Sequence, residues 1–134
     1  MADGNAVITM SGKGSVEAVG AALEKAFTAR SFGVIAVHDL HGIMAKKGVP
    51  LERACRVYEV CNPGQAKKVL DARMDISTAL PCRISVYEED GETRLTTIDP
   101  NILLGMFGAA ELSEVAREVA EVMIASMHEA AEAA

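Results

Sequence analysis

The Asp90-Gly91 step, set between two runs of alternating side-chain character, constrains this chain more than any other feature. Residues 82–88 (Cys-Arg-Ile-Ser-Val-Tyr-Glu) and 93–98 (Thr-Arg-Leu-Thr-Thr-Ile) favour extended backbone. Asp and especially Gly tolerate the positive backbone angles that a tight hairpin turn requires. Strands joined this way pair antiparallel. Cys82, Ile84 and Val86 share one face of the first strand and Arg83, Ser85 and Tyr87 the other, which assigns the Cys82 face to the core.

Upstream, strand and helix signals alternate. Residues 6–10 are short and apolar, and Gly12-Lys13-Gly14-Ser15 breaks them before a helix that Ser15 caps. Its Val16, Val19, Leu23 and Phe27 recur at spacings of three and four, a core-facing stripe. Ser31-Phe32-Gly33 ends that helix, and residues 34–38 make a β-favouring run. A short helix over 41–47, closed by Gly48, leads to a third strand over 53–60. Asn62 as N-cap and Pro63 at the first helical position then open a helix reaching about residue 73. After the hairpin, Asp99-Pro100 starts the last segment, where Leu112, Val115, Val119, Val122 and Met123 mark an amphipathic helix over 111–127. The tail, 128–134, has no apolar stripe and is expected to fray. The order β-α-β-α-β-α-β-β-α predicts an α+β fold: a single domain over 1–134, with one partly antiparallel sheet and helices packed against it.

Charge narrows the function classes. The 134-residue chain has a formal net charge of -6, which excludes nucleic acid as the expected partner because such binding depends on Lys and Arg neutralising phosphates. No apolar run approaches the roughly 20 residues that span a bilayer, and the N-terminus lacks a basic start and apolar segment. A cytoplasmic protein without membrane contact is expected. Three cysteines, none in Cys-x-x-Cys spacing, argue for thiols over a disulfide framework, a thioredoxin-like motif or covalent c-type haem. The Gly12-x-Gly14 pair lacks the remaining residues of a dinucleotide or P-loop fingerprint and reads as a turn.

The candidate chemistry gathers at Glu59-Cys61-Asn62, with Cys82 on another segment. A thiol just before a helix N-terminus is stabilised as thiolate by the free N–H groups there, and such a Cys61 would carry sulfur, sense oxidants or attack an electrophile. The alternative is packing, since free cysteine is among the most buried residue types. Glu59 is either a polar group beside Cys61 or a solvated strand residue. His38, next to Asp39, is a candidate base or ligand with His41 nearby. Spacing fixes no third partner, so no metal is assigned, and no cofactor is singled out.

Phe32-Gly33-Val34 leading to Asp39, Lys47-Gly48-Val49, Tyr58-Glu59-Val60-Cys61-Asn62-Pro63 with Ala66, Leu80-Pro81-Cys82-Arg83 and the turn at 87–91 form an ordered set. Over residues 5–100 it resembles the domain-of-unknown-function family numbered 302. The resemblance implies a small α+β domain, commonly a homodimer, with no established general activity. Three readings follow: a sulfur or thiol-redox accessory or carrier protein using Cys61 on a small-molecule or sulfur-species ligand; a non-enzymatic module for a small ligand, metal or haem; and a structural interaction protein. An enzyme with a conventional triad is least expected, because no local motif arranges one.

Overall fold

The computed structural model describes residues 6–133. Five strands form one sheet: β1 (Val7–Gly12), β2 (Gly33–Asp39), β3 (Cys55–Cys61), β4 (Cys82–Glu89) and β5 (Glu92–Ile98). Their spatial order is β1-β5-β4-β3-β2, and every neighbouring pair is antiparallel. The hairpin logic thus extends to the whole sheet. In the turn between β4 and β5, Asp90 and Gly91 both adopt positive φ, 53° and 78°.

Helix α1 (Val16–Ala29) joins the edge strand β1 to the opposite edge β2. Ser15 caps it, its side chain accepting from the Ala18 N–H at 3.1 Å. The stripe Val16, Val19, Leu23 and Phe27 is buried, as expected, against Tyr58, Ile84, Val86 and Leu95 of the sheet and Val119, Met123 and Met127 of α5 (Ser113–Ala133). Both long helices cover the same face of the sheet. In β3 the sequence left neither face clearly apolar; Tyr58 and Val60 face the core, and Glu59 faces away.

Five segments depart from expectation. Helix α2 (Leu40–Lys46) starts one residue early because Asp39 caps it, accepting from the Gly42 N–H at 3.0 Å. Helix α4 (Pro100–Gly105) and 3-10 turns at Met74–Ala79 and Ala110–Leu112 add elements the periodicity did not indicate. The tail does not fray: α5 continues to Ala133. Ala130 and Ala131 are buried, the Lys13 N–H donates to the Ala131 carbonyl at 3.0 Å, and Lys13 pairs with Glu132 at 2.9 Å. None of the helices among the described residues is long and apolar enough to cross a membrane.

Candidate functional site

The corner where β3 passes into α3 (Pro63–Ala72) is built by Asn62. Its Oδ1 accepts from the Gln65 N–H at 3.0 Å, while Nδ2 donates to the Ser31 carbonyl at 3.0 Å, tying this corner to the turn between α1 and β2. Pro63 occupies the first helical position, where no N–H is needed. Ala66, Val69 and Leu70, three and four residues apart, then point one stripe of α3 inward.

Beneath that stripe lies a cavity of about 320 Å³. Cys61 and Cys82 line one side, and Leu80, Leu103 and Leu104 line another. Phe32 and Val119 reach in from the α1–β2 turn and from α5. Polar groups are few: Asn62, Gln65 and Ser77 border it beside the two thiols. Gln65 Nε2 donates to Glu118 Oε1 at 3.2 Å, which fixes the orientation of the amide. Its Oε1 is buried and makes no hydrogen bond among the described residues.

All three cysteines are free thiols of intermediate burial. The Cys82 thiol is pushed up to about 11, chiefly by burial and further by the nearby Cys61, with Arg83 opposing. At neutral pH it is an uncharged, weakly nucleophilic group. Cys55 stands apart, its Sγ 3.8 Å from Ser85 Oγ.

The residues singled out from sequence therefore divide. Cys61, Asn62 and Cys82 meet at the cavity. Glu59 and His38 do not line it; they lie on the open face of the sheet, where Glu59 Oε2 is 3.4 Å from His38 Nε2 and accepts from Arg83 Nε at 3.2 Å. His41 is separate again. Its Nδ1 lies 2.8 Å from the Leu51 carbonyl and 3.1 Å from that of Arg53, so this nitrogen carries the proton and ties down the loop before β3. Among the described residues no three His, Cys, Asp or Glu side chains are grouped to hold a metal ion. The residues missed by sequence reasoning are the apolar walls. The spacing of Ala66, Val69 and Leu70 was the one signal available for them and was not read, and the partners of that stripe stand far off in the chain.

The class is thus an antiparallel α+β domain whose helices roof one sheet face and border a thiol-edged apolar cavity at the β3–α3 corner. The family described as "Domain of unknown function DUF302" matches residues 8–130, and the chain belongs to it. The crystal structure of an uncharacterized conserved DUF302 protein from Bacillus stearothermophilus is similar, with a TM-score of 0.89 at 26% identity over 93% of this chain and 98% of that one. No curated protein matches the chain.

Proposed function

We propose that this protein is a non-enzymatic binding module for a mostly apolar small molecule, held in the cavity between α3 and the β3 and β4 strand ends. The observation that carries this reading is the cavity itself: about 320 Å³, walled by leucines, valines and a phenylalanine with few polar atoms. Ligand sites are concave, mostly apolar and larger than roughly 300 Å³. A water takes about 30 Å³ of liquid and a methylene is of similar size, so the space suits on the order of ten non-hydrogen atoms. Cys61 and Cys82 then serve as polarizable wall groups. A thiol-redox or carrier role that drew on Cys82 is the weaker reading, because burial holds that thiol neutral.

p-Cresol tests it, being a small molecule that is apolar apart from one hydroxyl. Calorimetric titration is expected to give saturable one-to-one binding. Ala66→Trp, which fills the cavity from α3, is expected to weaken it more than about tenfold, or about 1.4 kcal/mol, while the urea midpoint shows the variant folded. Absence of saturable binding to the wild type, of p-cresol and of straight-chain acids alike, sinks the reading.

A homodimer is supported by a separate observation. Helix α2 buries none of its residues, yet Ile43 and Met44 are exposed on it, as are Ile35 on β2 and Val49 after the helix. These exposed apolar side chains favour a cover, and a second copy offers the same side chains in return. Sedimentation equilibrium is expected to return twice the chain mass, and Ile43→Glu with Val49→Glu to return the monomer. A monomeric wild type at about 100 μM leaves the dimer without support.

A further inference from the structure

A second cavity, of about 290 Å³, adjoins the first, and Ala79, Pro81, Cys82, Pro100 and Leu103 line both. Residues from both faces of the sheet line this second space, where β4 and β5 part. Thr97 and Met123 wall it on the helix-covered side, and Val57, Ser85 and Thr96 on the open face. The register explains the parting. The ladder between β4 and β5 runs from Glu89–Glu92 only as far as Ser85–Thr96, whereas Cys82, Arg83 and Ile84 remain paired with β3. Beyond Ser85 the two strands fork, and the fork is spanned by a side chain: Thr97 Oγ1 donates to the Arg83 carbonyl at 2.6 Å.

Arg83 stands at the open-face mouth, its side chain half exposed. Its Nε donates to Glu59, and its terminal nitrogens make no hydrogen bond among the described residues. A guanidinium engaged through Nε still presents its outer nitrogens as a two-pronged donor matched to a carboxylate.

We propose that the two cavities form one site for an unbranched aliphatic carboxylic acid. Its chain fills the thiol-edged cavity and passes Cys82 through the fork, and its carboxylate pairs with Arg83. The inference rests on the apolar-ligand reading above and narrows it. A straight chain is required because the passage runs between two diverging strands. Taking a methylene as about the size of a water, roughly 30 Å³, the first cavity takes roughly ten carbons, so an acid that fills it and also reaches Arg83 is longer than that.

Titration calorimetry with saturated straight-chain acids of 6 to 16 carbons, set against 1-alkanols of the same lengths, decides it. For the acids, affinity is expected to rise about fourfold per methylene, continuing past ten carbons. Acids longer than ten carbons are expected to bind at least about tenfold tighter than the matching alcohols. Arg83→Gln is expected to bring long acids down to the level of the alcohols. An affinity that levels off at ten carbons, or acids and alcohols bound alike by the wild type, overturns the single-site proposal. If p-cresol binds in that case, the apolar-ligand reading stands alone; if p-cresol and the whole acid series fail to bind, both readings fall together.

Discussion

Gly20→Ala is expected to lower the unfolding free energy by about 2 kcal/mol, although alanine is the better helix former by about 1 kcal/mol. Gly20 lies mid-helix in α1, where a Cβ would sit 1.8 Å from Tyr58 Oη and 2.7 Å from Cζ. Tyr58 is only 1% exposed and is the largest fully buried side chain, so its rigid ring cannot step aside into solvent. Overpacking of this kind costs about 1–3 kcal/mol in ordinary cores, and more when neighbours cannot shift. The clash therefore outweighs the propensity gain. Urea unfolding reads the result as a midpoint lowered by about 1 M at unchanged m. Adding Tyr58→Phe removes the nearer atom and leaves Cζ, so the double variant is expected to recover about half the loss. A Gly20→Ala protein as stable as the wild type would falsify this close seating of α1 on β3. The consequence reaches the cavity, because the end of α1 carries Phe27 against Phe32, ring centroids 5.9 Å apart, and Phe32 is a cavity wall.

The parts of this fold legible in sequence are those set by near neighbours in the chain. Asp90-Gly91, Ser15 and Asn62-Pro63 each work through hydrogen bonds or backbone angles within three or four residues. The apolar stripe of α1 is read as easily, since its large side chains leave no ambiguity about which face is covered. Ala130 and Ala131 are different: alanine is neutral about burial, and only the return of α5 past Lys13 covers them. The same holds for the face of β3. Tyr58 carries a hydroxyl and Glu59 is only partly exposed, so alternation alone did not say which row met the helices. The cavity is the extreme case, for its walls run from Phe32 to Val119 and no window of sequence contains them. Cys61 and Glu59, two residues apart, looked like one constellation; the pleat and the bend into α3 give the cavity to one and the open face to the other.

Cys82 in the folded protein is expected to react with iodoacetamide at pH 8 about a hundredfold more slowly than in the urea-unfolded chain. Its thiol is raised from an ordinary 9.0 to about 11, and two units of pKa remove a factor of a hundred from the thiolate present at pH 8. The three cysteines need not be averaged, since Arg56, Lys67, Arg73 and Arg83 place Cys55, Cys61 and Cys82 on separate tryptic peptides. The same shift acts on stability, with a defined sign. Below about pH 8 the thiol is neutral in both states and contributes no pH dependence. From about 9 to 11 the unfolded chain releases its proton while the native thiol holds on, so the wild type loses on the order of 2–3 kcal/mol across that window. Above about 11 both forms are ionised and the loss levels off. Other groups titrate in this range, so the informative quantity is the difference from Cys82→Ala, whose stability is expected to fall less steeply between pH 9 and 11. A native Cys82 that alkylates within about tenfold of the unfolded rate means a thiol open to water and poised to attack. That outcome would return the cavity to sulfur chemistry, with Cys61 and Cys82 as its reactive pair in place of a passive wall.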